Sequence, residues 1–230
     1  LLNKTKQNLH KIALYMTFAL ITAGIFLSLS RGAILGLLVA TAFWCITHIK
    51  IHTPHIYKQI ALIGIWFTLL VLTLFPLLQT RATWNDSAAT ERGVFNQTAQ
   101  GIIGQNWLIG TGPGTNLITM HLKLNGQLDA WVIQPIHNFF LINLAELGLL
   151  GLALCALILY ILGSTLRKTL SNLEPAFANI NWLIALSAIS VAVFILFWYD
   201  HYFHTIWPTQ LLLWMFLGLA WREIKTPSEE

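Results

Sequence analysis

The chain has 230 residues, 56% of them hydrophobic and only 10% charged, with a mean hydropathy of +0.67 and a net charge of +4. Soluble domains carry about 25% charged residues, so a water-soluble globule is excluded, and the apolar residues gather in long runs that read as membrane spans. The basic residues lie in short loops between those runs rather than along one stripe, which excludes a nucleic-acid footprint. Cys45 and Cys155 both fall inside apolar runs and are expected as buried free thiols, not as a disulfide or a metal site. No cleavable signal peptide is seen, and the chain opens on Leu1 rather than Met, so a longer parent protein with earlier spans is expected.

Six spans are predicted in chain order: Ile12 to Ser30, Ala33 to Ile49, Gln59 to Leu78, Asn138 to about Leu166, Asn181 to Tyr199, and Ile206 to Trp221. Crossing about 30 Å of hydrocarbon takes roughly 20 helical residues, with about 17 the lower limit, so the second and sixth are marginal. Orientation follows from lysine and arginine. With the N-terminus cytoplasmic, the inner side holds nine (Lys4, Lys6, Lys11, Lys50, Lys58, Arg167, Lys168, Arg222 and Lys225) and the outer side four (Arg31, Arg81, Arg92 and Lys123). That bias favours both termini inside. The last residues, Thr226 to Glu230, read as a frayed tail.

Between the third and fourth spans lies an outer loop from Gln79 to Ile136, 58 residues long. A loop of that length carries its own structure or a function. Within it Thr90 to Gln105 reads as a helix, because Phe95, Ala99, Ile102 and Ile103 share one face. The run Gly110-Thr111-Gly112-Pro113-Gly114 ends any helix and forms a tight turn. No strand–helix unit flanks it, so it is not a dinucleotide fingerprint but a segment that shapes the loop.

Ionisable residues gather at the outer boundary. His137 follows Pro135 where the outer loop enters the fourth span, near a helix start. Its imidazole is suited to take a proton from an attacking hydroxyl, or it is an interfacial histidine bonded to the loop. Arg92 falls on the wheel beside Phe95 and Ala99, hence on the inward face, where a charge needs a partner. That partner is either a phosphate held bidentately or a carboxylate of Asp86, Asp129 or Asp200. Arg31, in Ser30-Arg31-Gly32-Ala33, sits between two spans and either snorkels or faces a polar cavity. Gly32 and Gly36 form a small-xxx-small pair suited to close helix packing.

Asp200, His201 and His204 lie in the turn between the fifth and sixth spans, among Trp198, Tyr199, Tyr202 and Trp207. The two histidines read as ordinary hairpin residues within an aromatic belt; Asp200 is open to orienting a site histidine or arginine. Glu146 comes nine residues after His137, on the opposite face of the same helix and about 13 Å deeper. It is expected to face another helix, protonated or bonded to an asparagine. No Asp-x-Asp motif or carboxylate cluster appears on the outer face, so no metal or nucleotide cofactor is expected. A transporter is the reading from another class, and it calls for charged residues near the midplane and broken helices there.

Three motifs in order resemble the O-antigen ligase and polymerase superfamily. They are Ser30-Arg31-Gly32-Ala33, then Glu91-Arg92 before the helix leading to Asn106-Trp107-Leu108-Ile109-Gly110-Thr111-Gly112, then Pro135-Ile136-His137-Asn138-Phe139 running on to Glu146-Leu147-Gly148-Leu149-Leu150-Gly151. The resemblance covers roughly residues 20 to 221 and places the chain as the C-terminal half of such a protein. It implies an all-α membrane protein of GT-C-like architecture, one transmembrane domain over residues 1–230 with a periplasmic loop at 79–136. It also implies a multi-pass location in the bacterial inner membrane, with the site facing the periplasm or cell exterior. The implied activity is inverting, metal-independent transfer of a glycan from undecaprenyl pyrophosphate to an acceptor hydroxyl, without a cofactor. The family's catalytic histidine maps onto His137 and its two pyrophosphate-binding arginines onto Arg31 and Arg92, with Asp200 as a possible support. The acceptor is left open among lipid A core, a glycan chain and a protein.

Overall fold

The computed structural model describes residues 2–51, 56–83, 87–124, 132–172 and 180–225, and every regular element among them is helical. The order is α1 (Leu2–Leu27), α2 (Arg31–Lys50), α3 (Ile56–Thr83), α4 (Ser87–Asn106), α5 (Asn116–Leu124), α6 (Phe139–Asn172), α7 (Ile180–Tyr199), α8 (Tyr202–Thr205) and α9 (Trp207–Lys225). Among the described residues, five segments are long and apolar enough to cross a membrane: Leu9–Leu27, Arg31–Lys50, Ile56–Leu77, Phe139–Ile161 and Asn181–Tyr199. The protein is an all-α, multi-pass integral membrane protein.

Where the sixth span is expected the chain is helical, in α9, and among the described side chains Trp207–Leu219 is its apolar stretch. The first span ends earlier than expected, at Leu27, because Leu29 takes a positive φ of 52° and Ser30 opens the next helix.

The chain forms two compact units, 1–85 and 86–230. In the first, α1, α2 and α3 pack together. Trp66 Nε1 donates to Thr22 Oγ1 at 2.8 Å, joining α1 to α3, and Phe67 meets Phe18 and Phe26. Ser30 caps α2 by accepting from the Ala33 amide, the arrangement serine favours at a helix start. Gly32 and Gly36 are buried one turn apart on α2, as a small-residue packing face requires.

The second unit holds the former outer loop, which is largely helical. Its core joins Phe95, Ala99 and Ile102 of α4, Met120 and Leu124 of α5, and Ile133, Ile136, Ile142 and Ala145 around the start of α6. The apolar face expected of α4 is thus the one buried, with Ile103 packed beside it.

Its less expected feature is a break in α6. Gly148 has φ 65° and ψ −167°, so the helix stops and restarts. Such a break frees two carbonyls and two amides that a continuous helix would pair. Here residues 107–112 take all four. The Ala145 and Glu146 carbonyls accept from the Thr111 and Gly112 amides at 3.0 and 2.8 Å. The Leu149 and Leu150 amides donate to the Trp107 and Leu108 carbonyls at 2.8 and 3.2 Å. Irregular backbone within a span survives only where protein groups satisfy it. The two backbones approach so closely that a Cβ on Gly110 would collide with the Glu146 carbonyl, and one on Gly148 with Leu108. Both glycines also have positive φ, which other residues adopt at a cost.

Candidate active site

His137 is set by its neighbours on the chain. Before it, Ile136 is fully buried and donates its amide to Asn116 Oδ1 at 3.3 Å. After it, Asn138 caps α6: its Oδ1 accepts from the Leu141 amide at 2.9 Å. The Asn138 side-chain amide also donates to the Trp198 carbonyl at 3.2 Å, tying the start of α6 to the end of α7. Phe139 then stacks on Phe197, ring centroids 4.1 Å apart. The imidazole is half-buried between these anchors, and its Nδ1 is buried with no hydrogen-bond partner among the described residues.

The end of α7 brings Asp200 and His201 to the same place. The His137 and His201 rings meet edge to face at 4.8 Å. His201 is buried; its Nδ1 lies 2.6 Å from Thr205 Oγ1 and its Nε2 3.8 Å from Asp200 Oδ1, which also accepts the His201 amide at 2.8 Å. His137, Asp200 and His201 each offer a donor atom within 4.8 Å of the others. The sequence expectation contained no metal ligands, yet these three residue types have the chemistry to hold one.

Burial pushes the His137 imidazole below its usual value. The Arg92 guanidinium adds to this, while Asp200 and the Pro135 carbonyl act less strongly in the other direction. His201 is pushed down to about 4, again mainly by burial. Both rings are therefore neutral at neutral pH, the form in which an imidazole accepts a proton. Tyr202 is pushed up, first by the Asp200 charge and then by burial.

Arg92 reaches this cluster electrostatically, since its charge acts on His137, His201 and Tyr202. It is not buried, however, as the inward-face expectation held; it is exposed, about one turn before buried Phe95 on α4. The core residues of α4 begin at Phe95, and just before them a long side chain keeps its charged end in water. Of its expected carboxylate partners, Asp86 and Asp129 lie outside the described residues. Among the described residues Asp200 pairs with His201 instead. Arg31 is the first residue of α2 in the other unit, is exposed and has interactions of its own.

Glu146 holds a second cluster. It is 2% exposed. Its Oε2 accepts the Gly114 amide and its Oε1 the Asn116 amide, both at 2.8 Å, and His204 Nε2 meets Oε2 at 2.9 Å. It bonds an asparagine as expected, but through the backbone and across the glycine-rich turn rather than on a spanning helix. The glycine run therefore serves as a cradle for the Glu146 carboxylate. His204, read as a hairpin residue, is its third contact. Sequence gave no hint of this pair, because 58 residues separate its members.

No curated protein and no solved structure matches the chain. The family model described as O-antigen ligase matches residues 16–156, more than half of the chain and a stretch that includes Arg31, Arg92, His137 and the Glu146-Leu147-Gly148 break. An all-helical membrane protein with a neutral histidine at a span entrance, carrying that match, belongs to the O-antigen ligase family.

Proposed function

We propose that the protein is an inverting glycosyltransferase that passes a glycan from undecaprenyl pyrophosphate to an acceptor hydroxyl, with His137 as the general base. The observation that carries this reading is a neutral, half-buried imidazole whose Nδ1 has no hydrogen-bond partner among the described residues, with a guanidinium in electrostatic reach. In the reaction the acceptor oxygen attacks the anomeric carbon as His137 takes its proton. The bond from that carbon to the phosphate oxygen breaks, and the lipid pyrophosphate leaves with the electron pair. Attack opposite the leaving group inverts the centre. Arg92 stabilises the charge gathering on the pyrophosphate. Arg31 is assigned the same task on its motif, and Asp200 steadies the imidazolium that forms. This route needs no metal, because fixed cations meet the leaving group.

The 9-to-4 division of lysine and arginine supports a bacterial inner-membrane protein whose site faces the periplasm or exterior. Acceptor class separates ligase from polymerase and protein transferase, and lipid A core is our first choice. The test is transfer from a defined undecaprenyl-pyrophosphate glycan in proteoliposomes, offering lipid A core, glycan and protein acceptors in turn. His137→Ala should abolish transfer while donor binding persists, and near-normal transfer by it would reject the base assignment. Arg92→Ala should weaken donor binding more than Arg92→Lys; unchanged donor affinity in both rejects the phosphate role.

One observation speaks for the transporter reading, namely the broken α6 with Glu146 beside the break. Transporters use such breaks to leave backbone groups free for ions. Here the freed groups are paired with residues 107–112 and both Glu146 oxygens are engaged, which favours a structural joint. Uptake assays with the same proteoliposomes test it: ion or sugar flux without transfer would overturn the enzymatic reading.

A further inference from the structure

The residues around His137 have the composition of a metal site as well as of a catalytic one. We propose that His137, Asp200 and His201 form a reversible binding site for a Zn2+-class cation, whose occupancy blocks proton acceptance by His137. Two imidazoles and one carboxylate are a ligand set that zinc takes in sites with an open fourth position. The three donors come from two separate segments, the entrance of α6 and the end of α7, and lie within 4.8 Å of one another. His201 is already oriented as a ligating histidine is, one ring nitrogen held by Thr205 Oγ1 at 2.6 Å and the other turned towards Asp200. His137 Nδ1 is buried without a protein partner among the described residues, so it has bonding capacity that a ligand would use.

The fit asks for a small adjustment. Donors around one zinc ion, each about 2.1 Å from it, are roughly 3.4 Å apart. Closing the widest gap therefore takes about 1.4 Å, within reach of a ring rotation at His137. The Arg92 charge opposes a second cation, so affinity should be modest rather than that of a structural zinc site. No substrate bond is made or broken: the ion occupies the imidazole lone pair that would otherwise take the acceptor proton. The inhibitory half of the proposal rests on His137 acting as base; the binding half does not.

The experiment titrates Zn2+ into the purified full chain by calorimetry, with Co2+ absorption as a spectroscopic stand-in, and assays transfer on the same samples with and without EDTA. One ion per chain should bind, with affinity falling by more than about tenfold in His137→Ala, Asp200→Asn and His201→Gln. His121→Ala, on the exposed side of α5, should bind as the parent does. Zn2+ should suppress transfer and EDTA restore it. Unchanged affinity in the three variants overturns the site, and His137→Ala with Asp200→Asn decides this even where His201→Gln does not fold. Binding as expected with undiminished transfer at saturation, or transfer that requires the ion, overturns the inhibition. The metal-free activity of His137→Ala reports separately on the base assignment.

Discussion

His204 with Glu146 and His201 with Asp200 are both histidine–carboxylate pairs, and the short helix α8 with its preceding residue carries both histidines. The first pair is closed. Its nitrogen and oxygen are 2.9 Å apart, and two backbone amides complete the carboxylate. The second is open at 3.8 Å, and beside it His137 Nδ1 has no hydrogen-bond partner among the described residues. Similar residue types thus serve different ends. Where every polar atom is satisfied, the pair holds backbone segments together; where capacity is left over, it is available to a proton or a ligand. Burial cannot separate the two cases, since Glu146 and His201 are both buried.

Variants can break or sharpen this contrast. The largest effect is expected at the open cluster: His137→Ala should abolish measurable transfer, a loss of about a thousandfold or more. Its thermal unfolding in detergent should stay within about 0.5 kcal/mol of the parent, as for a change outside the packed core. The closed cluster should respond the other way. Glu146→Ala strands two backbone amides and His204, and should cost roughly 3 kcal/mol of stability in the same unfolding measurement. Third, Gly148→Ala places a Cβ against Leu108 at positive φ and should cost about 2 kcal/mol. The smallest effect is His204→Ala, about 1 kcal/mol, because the two amides still satisfy Glu146. A stable but inactive Glu146→Ala, or an active but strongly destabilised His137→Ala, would exchange the roles of the two clusters.

Much of this architecture is legible in the residues. Apolar runs mark the spans because lipid tolerates little else, and the wheel through Phe95, Ala99 and Ile102 finds the buried face of α4 because those positions recur at helical spacing. Helix α5 is legible by the same spacing: Asn116, Met120 and Leu124 recur every four residues, and all three are buried. Other features were not legible. The break at Gly148 sits in a run of strong helix formers, and only the crossing of residues 107–112, far off in sequence, makes it favourable. The burial of Arg92 was misjudged for a related reason, since periodicity gives a direction on the helix but not how far the core extends along it. His201 and His204 looked like hairpin residues because the groups they meet, His137 and Glu146, lie about sixty residues earlier in the chain.

The pairing of residues 107–112 with the break in α6 also bears on how the chain is made. A span interrupted at Gly148 would enter the bilayer with unpaired carbonyls and amides, each costing several kcal/mol in hydrocarbon. The segment that receives them precedes α6 in the chain, so synthesis delivers the acceptor and donor groups before the break emerges. Assembly of this half of the protein therefore has a built-in direction: the glycine-rich turn is in place first, and the fourth span is completed upon it.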